Sequence, residues 1–373
     1  FVAEGELNAV IQNKRIDDEL RGFKTPYEST ILGYQNDVKS IENLVDLVTK
    51  NNSISHRFFN LKAKLLNQIE KSADTTITMA DVATSISTAK SKKKIEFTEA
   101  CDLIRESFAK VDPEFATIFD SYLENGQIDV FPKNGKRTGA FCSPMTNAPT
   151  YVLTNYAGKL SDVSTLAHEM GHAIHSDLSK TQEHIYEDYT ISVAEVASTF
   201  FENVLFDNLL KVATLDEKKD LLINKTQDAI FTIFAQIAYF QYEKKIHAAS
   251  KEKGFVSKEE LASMFVDCRK SYMGEAVDLI ETDGYGYVYI SHFRSFFYVY
   301  SYAYGQLIAE ALYEEYKKDN KFAEKIKTFL KAGGSMAPAD IFKSIGIDTT
   351  KPDFFKKGLK KIEKDLETLE KMY

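Results

Sequence analysis

Ala167-His168-Glu169-Met170-Gly171-His172 is the stretch that decides how this chain is read, because it sets two imidazoles four residues apart with a carboxylate between them. Side chains at i and i+4 of a helix share a face about one turn apart, so His168 and His172 can converge on one ion. Zinc accepts imidazole nitrogens at about 2.0–2.1 Å, and a hydrolytic site keeps three protein ligands and one open position. Glu169 then stands where its carboxylate reaches a water without ligating the metal, which is the place of a general base.

Working outward, an isolated HExxH is short enough to arise by chance on a surface helix, so its surroundings decide. Upstream, Ser161-Asp162-Val163-Ser164 offers an N-cap serine and a first-turn carboxylate, and Val163, Leu166, Ala167, Met170 and Ile174 follow at helical spacing. A helix over about 161–178 is expected. The metzincin form would need Gly and His at positions 175 and 178, where this chain has His175 and Leu178, so that class is excluded. His175 shares the face of the two histidines, but a helix rises about 10.5 Å over seven residues, too far for one ion. Its expected role is packing or support of the ligands.

A second helix, about 190–210, carries Val193, Val196, Ala197 and Phe200 on its apolar face, and Glu195 interrupts that face. A buried carboxylate without a partner is costly, and a zinc ion is a suitable partner. Glu195 is therefore the favoured third ligand, against the plainer reading of a surface carboxylate. Glu202, seven residues on, reads as solvated or as a support of the ligands.

These residues resemble a known family. His168-Glu169-Met170-Gly171-His172-Ala173-Ile174-His175 and Val193-Ala194-Glu195-Val196-Ala197-Ser198-Thr199-Phe200 are similar to the zinc core of oligoendopeptidase F, a relative of thimet oligopeptidase. Ile128-Asp129-Val130-Phe131, Gly135 to Phe141, Pro149 to Tyr156, His292-Phe293, Phe297 to Ala303, Ala332-Gly333-Gly334-Ser335 and the last helix extend the likeness over nearly the whole chain. The resemblance implies one zinc ion held by His168, His172 and Glu195, with internal cleavage of short unstructured peptides in a deep channel. It also implies that His292 and a following tyrosine, Tyr298 first and Tyr300 or Tyr302 less so, steady the oxyanion of the tetrahedral intermediate. Members of the family carry a further N-terminal helical region. The chain opens on Phe1 and resembles a catalytic portion lacking that region.

The expected fold is mainly α: one large helical, zincin-type catalytic domain over 1–373, with a small β-sheet at about 127–156 before the HExxH helix. Stripes at Phe58, Leu61, Leu65 and Ile69, at Phe97, Ala100, Cys101, Ile104 and Phe108, at Phe115, Ile118, Phe119 and Tyr122, and at Leu359, Ile362, Leu366 and Leu369 have helical period. Ser257 with Glu260 forms a capping-box pattern. Between Gln127 and Tyr156, β-prone residues alternate with turn residues. An edge strand there, at Gly139-Ala140-Phe141, could pair with an extended peptide, or the segment could be a purely structural flap.

The 47 basic against 55 acidic residues give −8, which argues against nonspecific nucleic-acid binding as the main activity, and the lysines at 90 and 92–94 read as a solvated face. The three cysteines, Cys101, Cys142 and Cys268, are far apart and form no CxxC motif, which suits buried thiols in a reducing compartment. The greasy run Ala229 to Phe240 is well short of the roughly 20 residues that span a bilayer and reads as a core helix. Without membrane span or targeting segment, a cytoplasmic protein is expected. Tyr285, Tyr287, Tyr289, Tyr298, Tyr300, Tyr302 and Tyr304 crowd together around His292, and many must simply pack. His56, His184 and His247 read as surface or packing histidines. Two rivals stand beside the endopeptidase reading: a helical HExxH carboxypeptidase that trims C-terminal residues, and an inactive helical peptide-binding module.

Overall fold

Helices dominate because apolar residues recur with a period near 3.6 along most of the sequence. The computed structural model describes residues 1–86 and 94–373, and Lys90, Lys92 and Lys93 of the expected solvated lysine face lie outside the described residues. The N-terminal part holds α1 (Val2–Leu20), α2 (Glu28–Gly33), α3 (Val38–Lys50) and α4 (Ser53–Glu70), followed by the short strand β1 (Ile77–Thr78). Next come α5 (Phe97–Val111) and α6 (Pro113–Glu124), then β2 (Ile128–Asp129), β3 (Phe141–Ser143) and β4 (Tyr151–Leu153). The central pair is α7 (Leu160–Ser179) and α8 (Ile191–Val212). After it run α9 (Leu215–Ala229), α10 (Gln236–Lys253), α11 (Lys258–Met273), β5 (Val277–Asp278), α12 (Tyr300–Lys318), α13 (Ala323–Lys331), α14 (Pro338–Ser344) and α15 (Pro352–Glu370).

The predicted stripes face inward with one exception. Phe58, Leu61 and Leu65 are buried, but Ile69 is 59% exposed. It sits in the last turn of α4, next to the left-handed C-cap Lys71, where the helix leaves the core. The run Ala229 to Phe240 is buried helix as expected, but Ile230–Ala235 forms a π-helical turn that joins α9 to α10. Such turns tend to occur near functional sites. Ser257 and Glu260 form the reciprocal cap of α11. No helix of the described residues is long and apolar enough to cross a membrane.

The small sheet has the order β2-β4-β3, with β2 parallel and β3 antiparallel to β4. Its register pairs Phe141 with Leu153 and Ser143 with Tyr151, so β3 is an edge strand. The edge lies at Phe141–Ser143 rather than at 139–141, because Gly139 has φ 81 and turns the chain into the strand. Cys101, Cys142 and Cys268 are free thiols, and burial pushes the first two up to about 11 and about 12.

Two close approaches set the middle of the molecule. A β-carbon at Gly171 would lie 2.6 Å from Cα of Ser198, so α7 and α8 touch backbone to backbone there. A β-carbon at Gly305 would lie 3.1 Å from Cβ of Glu195, which brings α12 against α8 at the residue that faces the two histidines. Phe201 of α8 is fully buried between Phe108 and Phe115, with ring centroids 4.7 and 5.0 Å away. Burying such a side chain contributes about 1.5–3 kcal/mol.

Candidate metal centre

The start of α7 differs from the sequence expectation. Ser161 lies inside the first turn, and the N-cap is Lys159. The Asp162 carboxylate accepts from the amides of Ala157 and Lys159 at 2.8 and 2.9 Å, satisfying donors that a capping serine would otherwise serve. From this start the helix presents His168 and His172 toward α8, with ring centroids 4.9 Å apart.

Across the Gly171 contact stands Glu195. Its Oε2 is 3.3 Å from Nε2 of His168 and 3.6 Å from Nε2 of His172. One ligand atom from each of the three residues lies within 4.8 Å of the others. Ligands at about 2.1 Å around a tetrahedral centre stand about 3.4 Å apart, so the donor set and its spacing both fit zinc. The Ser198 hydroxyl donates to Glu195 Oε2 at 3.2 Å and helps fix its rotamer.

Glu202, one more helical choice along α8, reaches Nδ1 of His168 at 3.3 Å. A proton on Nδ1 donated to Glu202 leaves the Nε2 lone pair facing Glu195, the usual support of a ligand imidazole. Burial disfavours charge on His168, yet hydrogen bonds to Glu195 and Glu202 outweigh it and raise the imidazole above its ordinary range. Burial likewise works against the Glu195 carboxylate, and the two imidazoles more than offset it, holding it well below the usual value.

Glu169 is buried, with 7% of its surface exposed. Burial pushes its carboxyl up, while the neighbouring imidazoles and the Cys142 amide pull it down, for a net rise. A raised carboxyl is suited to taking a proton and giving it back near neutrality. The Cys142 amide belongs to the edge strand, so β3 is tied directly to this glutamate.

His175 is wholly buried and stacks on Tyr189 at 3.7 Å, with the planes 7° apart. It packs and takes no part in the cluster. His56 contacts Ser271 O, the exposed His184 pairs with Glu187, and His247 is buried against Phe296 and Phe297.

Two cavities meet at His168 and Glu195. The larger, 690 Å³, is bounded by the edge strand (Ala140, Phe141, Cys142), Glu169 and Tyr189. The smaller, 440 Å³, is bounded by Glu202, Asp228 and Tyr302. Burial, with Glu202 adding to it, pushes Asp228 up to about 6.

His292 and Tyr298 are hydrogen-bonded to each other through Nδ1 and the phenol. Their rings lie 5.8 and 6.0 Å from the ring of Tyr302, the tyrosine of the three that borders the cavity with His168 and Glu195. Tyr300, by contrast, is buried and accepts from Asn36. Sequence reasoning ranked Tyr302 below Tyr298. The signal that could have raised it is the i, i+4 relation of 298 and 302, which puts both on one face of the segment entering α12. Tyr189 and the Gly171 contact were missed altogether, since neither carries a local pattern.

The chain is 29% identical over 369 residues to Oligopeptidase PepF of Bacillus subtilis, covering 98% of this chain and 54% of that protein. It is 28% identical over 373 residues to the chromosomal Oligoendopeptidase F of Lactococcus lactis subsp. cremoris, covering 98% and 60%. It thus spans little more than half the length of these relatives. The crystal structure of oligoendopeptidase-F from Enterococcus faecium superposes with a TM-score of 0.74 at 23% identity, over 100% of this chain and 61% of that one, and shows the same fold. The profile of Peptidase family M3 matches residues 4–361, nearly the whole chain, and the protein belongs to that family.

Proposed function

We propose that this chain carries the catalytic centre of a zinc endopeptidase that hydrolyses internal bonds of short, unstructured peptides. The observation that carries the reading is the convergence of His168, His172 and Glu195 within 4.8 Å, with Glu169 buried beside them. His168, His172 and Glu195 would hold one zinc ion. When bound there, the ion supplies Lewis acidity to the attacking water and to the scissile carbonyl.

The chain's own residues do the rest. Glu169 takes the proton of the attacking water and delivers it to the departing amine. The hydrogen-bonded pair His292 and Tyr298, together with Tyr302 at the cavity wall, donates to the developing oxyanion. Phe141–Ser143 offers the backbone groups of an edge strand to an extended peptide, a mode that tolerates many side chains. Cavities on both sides of His168 and Glu195 give a peptide room in both directions, which favours internal cleavage over trimming from a C-terminus.

The test is Glu169→Gln. The variant is expected to bind about one zinc per chain while cleaving a quenched oligopeptide about 100- to 10,000-fold more slowly, the usual contribution of a positioned acid/base group. Unchanged turnover would remove Glu169 from the role. Mass spectrometry of the wild-type products separates internal cuts from stepwise removal of C-terminal residues.

A further inference from the structure

Between His292 and Tyr298 the backbone takes a form that no sequence pattern announces. Phe296 and Phe297 are both left-handed, with φ 52 and 58, the one adjacent pair of such non-glycine residues among the described residues. Bulky side chains rarely adopt this region, and two in succession persist only where the surroundings dictate it.

The surroundings are visible. The Phe297 ring is fully buried, 4.9 Å from the His247 ring and 5.4 Å from Phe240. Its amide donates to Oε1 of Glu243 at 2.8 Å, and the Phe296 carbonyl accepts from the Thr30 hydroxyl at 3.2 Å. Glu243 stands on α10, is wholly buried, and among the described residues its Oε2 has no hydrogen-bond partner. A carboxyl in such a place is costly, and an apolar side chain of similar volume would pack there without that cost. Among the described residues, the hydrogen bond that Glu243 accepts through Oε1 comes from the left-handed turn. Burial pushes the carboxyl up to about 8, so near neutrality it is an uncharged acid whose shape and acceptor a glutamine reproduces.

We propose that Glu243 is a positioning residue: by accepting from the Phe297 amide it holds the left-handed Phe296–Phe297 turn, and so sets Tyr298 against His292 and aims Tyr302 at the metal cavity. Tyr298 follows the turn directly, and its carbonyl accepts from Ser301 at 2.9 Å in the entry to α12. The inference rests on the proposed oxyanion role of this segment.

The test measures kcat and KM on a quenched oligopeptide, with zinc content and melting temperature, for the zinc-loaded full chain. Glu243→Gln is expected to keep kcat within about twofold, and Glu243→Met to lower it about tenfold or more, as for a misplaced oxyanion donor, with KM nearly constant and one zinc retained. Adding Phe296→Gly, which eases the left-handed conformation at a half-buried position, should recover part of the loss. If Glu243→Met does not fold, Glu243→Asp, which withdraws the acceptor by one methylene, carries the same comparison.

The inference is overturned if Glu243→Met keeps wild-type kcat, if its loss merely tracks lost zinc or unfolding, or if Glu243→Gln is equally impaired. Tyr298→Phe and Tyr302→Phe, measured in parallel, separate the two layers. Slow tyrosine variants beside a fully active Glu243→Met defeat the positioning role alone. Full activity in both tyrosine variants defeats the oxyanion reading, and this inference falls with it.

Discussion

At His168 each ring nitrogen faces a different carboxylate: Nε2 lies 3.3 Å from Glu195 and Nδ1 lies 3.3 Å from Glu202. The two acids have different work. Under the proposed reading Glu195 would share a cation with both imidazoles, whereas Glu202 meets His168 at Nδ1 and would fix which nitrogen is free. Removing Glu202 therefore leaves the donor set complete and loosens one member of it. Glu202→Ala is expected to weaken zinc binding about 10- to 100-fold, read by competition with a chromophoric chelator, while kcat at saturating zinc stays near wild type. Unaltered affinity would show that the contact does not orient the ring. The left-handed pair Phe296 and Phe297 belongs to the same scale, because such residues cost about 1–3 kcal/mol each and are kept where geometry matters.

At the scale of elements, the site is made by how closely α7, α8 and α12 approach. Neither imidazole could reach Glu195 if the backbones of α7 and α8 were a side chain apart, and Gly171 is what permits their contact. Gly171→Ala forces a methyl group toward Cα of Ser198. The expected result is destabilisation of about 1–3 kcal/mol by overpacking, with reduced zinc content, measured by thermal unfolding and metal analysis. Gly5→Ala, on the open face of α1 where an added β-carbon meets nothing within 4 Å, is the control and should be neutral or slightly stabilising. Equal behaviour of the two variants would mean that the helix contact does not govern the site.

This scale also explains what was legible in the sequence. His168, Glu169 and His172 could be read because i, i+4 spacing is local, and Glu195 because a charge interrupted an apolar stripe. The edge strand was placed slightly early, since the Gly139 turn belongs to the approach rather than the ladder. Ser161 was mistaken for a cap because Asp162 reaches back to Lys159, a choice set by loop geometry. The Gly171 contact and the Glu243 anchor depend on which distant helices meet, and a single sequence carries no local mark of that.

At the scale of the whole molecule, buried apolar residues from Leu7 in α1 to Leu369 in α15 form one cluster, so both ends of the chain pack into the body that carries the centre. The edge strand, the two helices of the candidate ligands and the tyrosine-bearing α12 converge where the two cavities meet at His168 and Glu195. The central claim is that this convergence holds a single zinc ion. Anomalous diffraction across the zinc edge from crystals of the zinc-loaded protein tests it most directly. The account predicts one peak, about 2.0–2.2 Å from a nitrogen of His168, a nitrogen of His172 and a carboxylate oxygen of Glu195. Zinc bound elsewhere, or a peak at the histidines with Glu195 turned away, would contradict it.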